Sequence, residues 1–295
     1  MSQALRQPPE KIDVKIYEEH SSPVWWCAGC GDFGVLKALK IALSELGIAP
    51  QDLALVTGIG CSGKIGTYMN GNNFHGTHGR ILPIATGVRI ANPNLTVIGL
   101  GGDGDGYAIG LGHLPHTVRR NLNITYIVMD NQTYGLTKGQ VSPTSDLTYK
   151  TSTTPEGNIE AAVNPLAIAL AAGATFVARA FSANQKSQVD IMKAGIQHEG
   201  FALINIFSPC VTYNKVNTYK WFRENAYELA AEGHDPKNHK QALEAAFRSD
   251  KLPLGIFYQI DRPTFEAARP GATETPMVDL PIEGQDHTGL LKDFA

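Results

Sequence analysis

The sequence has no long apolar run, little imbalance of charge and few cysteines. No stretch approaches the ~20 consecutive apolar residues that a membrane-crossing helix needs, so no membrane partner is expected. Lys and Arg total 25 and Asp and Glu 28, a net charge of −3. That balance argues against a broad electrostatic footprint for nucleic acid. The opening residues, MSQALRQPPEKIDV, lack a basic-plus-apolar leader, and a cytoplasmic location is the expectation. There is no short repeat and no long low-complexity tract. Cysteine occurs four times, as Cys27, Cys30, Cys61 and Cys210. Without a secretory leader, structural disulfides are not expected. Hydrophobic residues make up 43% and charged residues 18% of the 295, which excludes a disordered chain and a coiled coil. This length fits one large or two ordinary domains and needs no staples to bury a core.

Glycine is plentiful, at 30 residues clustered in the first half, where close backbone approach to a ligand is plausible. Residues 34–47 place Val35, Leu36, Leu39, Leu43 and Leu46 on one helical stripe, and Gly47 is a natural stop. Apolar strands are expected at 53–60, 95–105, 124–131, 174–179 and 201–209. Helices are expected at about 107–121, from Asn164-Pro165 to Gly173, near 184–198, and over 217–249. Asn164 suits an N-cap and Pro165 the first helical position. Strands alternating with helices predict an α/β fold, a mainly parallel sheet with helices on both faces. The long loop from Gln132 to about Asn158 suggests a functional segment. Residues 1–22 read as a polar arm, 23–215 as the main domain, and 216–295 as a helical extension ending in an arm after Arg262.

Gly102-Asp103-Gly104 ends one apolar strand, and Asn131 ends the next, 28 residues after Asp103. In a parallel sheet both strand ends lie on the edge where ligands bind. One carboxylate and one amide oxygen there suit a hard cation such as Mg²⁺, completed by carbonyls, water and substrate phosphates. Gly102 and Gly104 let backbone N–H groups approach a diphosphate. Taken alone, the pattern is also what a Gly/Asp turn and an Asn turn would give. Cys27 and Cys30 form C-A-G-C, which suits a redox dithiol, half a zinc site or half an iron–sulfur site. With Cys61 and Cys210, the four could supply one tetrathiolate site. By the ordinary reading, His75 is a satisfied loop histidine and Lys138 a loop charge. Trp25 and Trp26 are expected to pack in the core or at an interface.

The spacing of Gly-Asp-Gly and Asn resembles the diphosphate motif of thiamine-diphosphate enzymes. Further motifs follow in order: W-C-A-G-C-G-D-F-G (26–34), G-I-G-C-S-G (58–63), H-G-R-I-L-P-I-A-T-G (78–87), G-G-D-G-D-G (101–106), Y-G-L-T-K-G-Q-V-S-P-T (134–144) and S-P-C (208–210). Together they resemble the β subunits of 2-oxoacid:ferredoxin oxidoreductases over roughly residues 24–215. The whole pattern, including H-L-P-H-T-V-R-R-N (113–121), resembles the 2-oxoglutarate-type β chains.

The resemblance implies a thiamine-diphosphate-binding fold. It implies that Asp103, Asn131 and the backbone of Thr133 hold Mg²⁺, and that Cys27, Cys30, Cys61 and Cys210 hold one 4Fe–4S cluster. Cofactor contacts fall on Ile59, Gly60, Cys61, Ser62, His78, Gly79, Gly102, Gly104, Asp105, Gly135, Leu136 and Thr137. Lys64 would meet a substrate carboxylate, and Leu136 would shape the pocket. The implied activity is CoA-dependent oxidative decarboxylation of a 2-oxoacid, 2-oxoglutarate in this reading, with electrons passing to ferredoxin. The implied partner is an α subunit that bears a pyrimidine-type domain and the catalytic Glu, in an αβ or (αβ)₂ assembly. A pyruvate enzyme, a non-redox thiamine-diphosphate decarboxylase or synthase, and a Cys₄ zinc-stabilised interaction subunit are the rival readings.

Overall fold

The computed structural model describes residues 10–19, 21–268 and 276–280. Eight strands form one sheet: β1 (Leu53–Thr57), β2 (Asn72–His75), β3 (Thr96–Gly102), β4 (Ile124–Asp130), β5 (Phe176–Phe181), β6 (Phe201–Phe207), β7 (Ala226–Glu228) and β8 (Leu252–Gln259). Their order is β2-β1-β3-β4-β6-β5-β8-β7. Every neighbouring pair is parallel except β5 and β8.

Both faces of the sheet are covered. Within a strand, side chains alternate between two cores, as a period of two requires. Ile124, Tyr126 and Val128 of β4 enter one core with Leu82, Leu114, Val118 and Leu170. Ile127 and Met129 enter the other with Leu36, Leu39, Leu43 and Met192. The helices are α1 (Asp32–Glu45), α2 (Ile81–Ala91), α3 (Leu114–Arg120), α4 (Pro165–Ala171), α5 (Gln185–Gln197), α6 (Tyr219–Asn225) and α7 (His239–Ala246); α1 to α5 carry these partners. α1 and α5 cover one face, and α2, α3, α4 and α7 the other. The fully buried strands β1, β4, β5 and β6 are the continuous apolar runs expected of a doubly covered parallel sheet.

The capping expectations hold in the structure. Asn164 Oδ1 accepts from Ala167 N at 3.1 Å, with Pro165 at the first helical position. Gly47, at φ +63°, follows α1. Of the α1 stripe, Val35, Leu36, Leu39 and Leu43 are buried and Leu46 is half-buried. Loss of the fully buried Leu39 side chain to Ala should cost about 2–5 kcal/mol.

Other expectations need correction. The stretch at 107–121 is not one helix. A π turn at Asp105–Ile109 and a 3-10 turn at Leu111–His113 precede α3, and Ala108 has non-helical angles of φ −94° and ψ −105°. The backbones of Gly79 and Gly110 meet here, because a Cβ on Gly79 would lie 2.6 Å from the Gly110 nitrogen. The stretch at 217–249 is not continuously helical either, since β7 and a 3-10 turn at Leu229–Glu232 lie between α6 and α7. The unread β8 carries Pro253 and Gly255, with Gly255 at φ +120° near a register shift against Val177 and Ala178. It extends the sheet beyond residue 215. The unread β2 is exposed along its length, so burial leaves no apolar pattern in it.

Within the expected N-terminal arm, Val14–Tyr17 form a 3-10 turn. Tyr17 is fully buried, and its hydroxyl donates to Ile48 O at 2.6 Å. Residues 1–9 and most of the C-terminal arm, 269–275 and 281–295, lie outside the described residues. Among the described residues, no helix is long and apolar enough to cross a membrane.

Candidate active site

β1, β3, β4 and β6 run parallel, so the loops after them leave the same sheet edge. Cys61 follows β1, Asp103 follows β3, Asn131 follows β4 and Cys210 follows β6. The segment before α1 brings in Cys27 and Cys30. It is tied to the loop after β6 by Gly31 N donating to Pro209 O at 3.1 Å.

The four cysteines line one cavity of about 230 Å³ together with Trp25, Lys64, Leu136 and Tyr213. All four are free thiols. A Cβ placed on Gly135 would lie 3.6 Å from Cys210 Sγ and 3.7 Å from Cys61 Sγ. Glycine thus leaves open the space against which both sulfurs stand. Among the described residues, no three His, Cys, Asp or Glu side chains converge closely enough to hold a single metal ion. Four thiols on the wall of one cavity are the ligand set that either a zinc ion or an iron–sulfur cluster takes. Burial pushes the Cys61 thiol up to about 11, with the nearby Asp32 carboxylate adding to it. The same two causes raise Cys30 further. Thiolate ligands here therefore require a positive group to replace their protons.

Trp26 is buried, and its Nε1–H donates to Cys61 O at 2.7 Å. It joins the C-A-G-C loop to the Cys61 turn. Trp25 is 81% exposed, so within this chain it does not pack in the core. Lys64, exposed in a 3-10 turn (Ser62–Tyr68), borders the cysteine cavity.

A second cavity, of about 120 Å³, adjoins the first. It is lined by every expected cofactor and Mg²⁺ residue except Gly79. Cys61, Asn131, Gly135 and Leu136 line both cavities. Asp103 is buried, and its Oδ2 accepts from Thr144 Oγ1 at 2.7 Å. The same hydroxyl stands 2.8 Å from Asp130 Oδ1. Burial, and then Asp130, push the Asp103 carboxyl up to about 7. A divalent cation at Asp103 would offset both causes. Asn131 Oδ1 accepts from Thr133 N at 3.1 Å, an Asx turn that holds Asn131 and Thr133 at one corner. Gly104 admits the Tyr134 ring, which a Cβ would meet at 2.2 Å, and the Tyr134 hydroxyl donates to Gly104 O at 3.1 Å. The donor set is one buried carboxylate, one amide oxygen and a turn carbonyl beside glycine backbone. It fits a hard cation carrying a diphosphate.

Asp105 fastens two loops to its own. Its Oδ1 accepts from Ile59 N at 2.9 Å, Gly79 N at 2.8 Å and His78 Nδ1 at 2.7 Å. Its Oδ2 is buried without a partner among the described residues, 2.1 Å from where a Cβ on Gly58 would stand. Gly79, expected to touch cofactor, instead spends its N–H on Asp105. Ser62 lines the cavity, but its hydroxyl donates to Asp32 at 2.8 Å. His75 sits in β2 with Nδ1 2.9 Å from Thr57 Oγ1, a satisfied histidine, though on a strand rather than in a loop. Lys138 is exposed at φ +76°.

Sequence reasoning missed the shell behind Asp103. Asn205 Nδ2 donates to Asp130 Oδ2 at 3.1 Å, and the Tyr107 hydroxyl donates to Asn205 Oδ1 at 2.9 Å. Arg179 is buried beneath them, its guanidinium 4.9 Å from the Phe207 ring centre. Burial lowers Arg179 to about 10, and Asp130 opposes that shift. The available signals were Asp130 directly before Asn131, and an arginine inside the apolar strand β5.

Comparison with known proteins identifies the family. Residues 58–206 match the family model of the thiamine pyrophosphate enzyme C-terminal TPP-binding domain. Residues 210–274 match the family model of the C-terminal part of the pyruvate ferredoxin oxidoreductase beta chain. The chain is 45% identical over 258 residues to 2-oxoacid:ferredoxin oxidoreductase 2, subunit beta, of Aeropyrum pernix, covering 83% of this chain and 84% of that one. It is 37% identical to the 2-oxoglutarate synthase subunit KorB of Methanocaldococcus jannaschii, covering 85% and 93%. Among solved structures, a 2-oxoglutarate:ferredoxin oxidoreductase from Magnetococcus marinus, with 2-oxoglutarate, coenzyme A and succinyl-CoA bound, superposes with a TM-score of 0.88 at 40% identity, covering 96% of each chain. The expected thiamine-diphosphate-enzyme fold is the one found, and the chain belongs to the β subunits of the 2-oxoacid:ferredoxin oxidoreductases, a family of oxidoreductases.

Proposed function

We propose that this chain is the β subunit of a 2-oxoglutarate:ferredoxin oxidoreductase, which converts 2-oxoglutarate and coenzyme A to succinyl-CoA and CO₂ and passes the electrons to ferredoxin. The observation that carries the reading is the shared wall of the two cavities. Cys61, Asn131, Gly135 and Leu136 border both the cysteine cavity and the Asp103 cavity. A decarboxylation site and an electron acceptor would then sit side by side.

Asp103, Asn131 and the Thr133 carbonyl would hold Mg²⁺, and the glycine backbone at 102–104 would take the diphosphate. Cys27, Cys30, Cys61 and Cys210 would hold one 4Fe–4S cluster, in keeping with the normal Cys₄ ligand set. Thiamine diphosphate supplies the electron sink for decarboxylation, and the cluster supplies one-electron acceptance. The protein's own residues set the geometry. Asp105 fixes His78 and the Ile59 backbone at the cavity rim. Leu136, 51% exposed and common to both cavities, would exclude water from the reacting carbon. Lys64 would meet a substrate carboxylate as a point charge. The carboxylates lining the Asp103 cavity are Asp103 and Asp105, and both are engaged within the chain. The carboxylate that a thiamine pyrimidine ring needs is therefore assigned to an α subunit in an αβ or (αβ)₂ assembly. The names of the Methanocaldococcus jannaschii relative and of the Magnetococcus marinus structure support the choice of oxoacid.

The test is co-expression with an α subunit, iron and sulfide analysis, and reduction of a viologen dye with a panel of oxoacids. The expected result is four irons per β chain and CoA-dependent dye reduction fastest with 2-oxoglutarate. Faster reduction with pyruvate would move the assignment to the pyruvate enzymes. Decarboxylation without iron would make this a non-redox thiamine enzyme, and zinc in place of iron would remove the electron path.

A further inference from the structure

Asp32 opens α1 and is completely buried. Its Oδ2 accepts from Ser62 Oγ at 2.8 Å and its Oδ1 from Ser208 Oγ at 2.5 Å. Each group in this bracket lies next to a cysteine. Asp32 is two residues after Cys30, Ser62 directly follows Cys61, and Ser208 is two residues before Cys210. The bracket spans 30 residues on one side and 176 on the other. Three distant cysteine segments are thus joined through one carboxylate. The backbones close in the same place, since a Cβ on Gly31 would lie 2.5 Å from Ser208 Oγ.

Stability alone does not explain this carboxylate. Burying a carboxylate is costly, and the groups that steady Asp32 are two serine hydroxyls and its place in the first turn of α1. An apolar residue at the start of α1 would fill the same volume without that cost. What an apolar residue could not do is accept from both serines.

Resting on the cluster reading above, we propose that Asp32 is a positioning residue for the iron–sulfur site: by accepting from Ser62 and Ser208, it sets the spacing of the Cys30, Cys61 and Cys210 sulfurs around the cavity. Cys27, the exposed member of the set, completes the site from the loop surface. Asparagine at this position keeps the bracket, because its Oδ1 accepts from one serine and its Nδ2 donates to the other. Leucine has the volume but neither contact.

The experiment uses the assembled α–β complex, reconstituted without oxygen, and reads iron content, the electron-spin-resonance signal of the reduced cluster, and iron retention under a chelator. The wild type should hold four irons. Asp32→Leu should lose iron to chelator about 10-fold faster or more, a typical cost for an outer-shell partner, and show an altered signal. Asp32→Asn should restore both. Ser62→Ala and Ser208→Ala, which each remove one arm and leave the core filled, should fall between, and they serve where Asp32→Leu does not assemble. Asp32→Leu with wild-type iron retention and signal would overturn the proposal. So would Asp32→Asn as poor in iron as Asp32→Leu. A wild-type complex without iron would instead overturn the cluster reading itself, and this inference with it.

Discussion

His78 Nδ1 lies 2.7 Å from Asp105 Oδ1, and that oxygen also holds the backbone N–H groups of Ile59 and Gly79. One carboxylate from the loop after β3 therefore sets both the turn after β1 and the entry to α2. The ring donates Nδ1–H to the carboxylate.

Removal of that carboxylate should loosen the cofactor cavity more than it unfolds the chain. Asp105→Ala is expected to raise the Kd for thiamine diphosphate with Mg²⁺ about 10-fold or more, since one charged hydrogen bond is worth about 1.5–3 kcal/mol. Asp105→Asn should do less. It keeps an acceptor for the loops and can place its amide at the Oδ2 position, which is buried and unpaired among the described residues. Isothermal titration of the assembled complex decides it, and equal loss in the two variants would contradict the account.

Asp103→Ala should abolish Mg²⁺-dependent binding of thiamine diphosphate, because a hard cation needs an ionised oxygen there. Thr144→Val should weaken binding without abolishing it. It removes the hydroxyl shared by Asp103 and Asp130 but leaves the ligand in place. Titration with Mg²⁺ at fixed cofactor separates the two, and unchanged affinity in Asp103→Ala would remove the cation from this edge.

Lys64 borders the cysteine cavity, three residues beyond Cys61. Lys64→Met should raise KM roughly 10- to 100-fold through loss of a charged contact of about 1.5–3 kcal/mol. If Lys64 meets the distal carboxylate, 2-oxoglutarate should suffer far more than pyruvate. If it meets the carboxylate common to all 2-oxoacids, both should suffer alike. Unchanged kinetics with both substrates would leave Lys64 a surface charge.

Stability should carry a histidine signature far from the site. His198 is buried against Phe176, with Nε2 2.8 Å from Thr175 Oγ1. The Thr175 hydroxyl is already committed to Asn121 Oδ1 at 2.7 Å, so the imidazole donates. Burial lowers the His198 pKa below 6.5, and the facing Asp261 only partly opposes it. The unfolded chain therefore takes up the proton first as pH falls through 6.5, and stability falls with it. Tm measured from pH 8 to pH 5 should drop more steeply in the wild type than in His198→Gln. Parallel curves would show that His198 is not responsible.

The parts of the fold legible in the sequence are those in which burial leaves a pattern. β1, β3, β4 and β6 are apolar because both faces are covered, and the Val35–Leu43 stripe is apolar on one face because α1 lies on the sheet. β8 was not legible because Pro253 and Gly255 interrupt the strand, where pairing with β5 overrides local preference. The helix expected at 107–121 failed because the contact between Gly79 and Gly110 joins segments distant in sequence. The site residues followed the same rule. Asp103, Asn131 and the cysteines carry local spacing, whereas Asp32, Asp130 and Thr144 act through partners that only the folded chain brings near.

In the proposed reaction the cysteine site receives electrons directly from the decarboxylation site beside it. The most direct measurement is anaerobic stopped-flow mixing of the complex with 2-oxoglutarate and no external acceptor, following the brown iron–sulfur absorbance. Rapid bleaching is expected in the wild type. None is expected in Asp103→Ala, and none in Cys210→Ala, which should be as iron-poor as Cys27→Ala. Release of CO₂ by a wild-type complex whose cluster absorbance does not change would contradict this direct transfer.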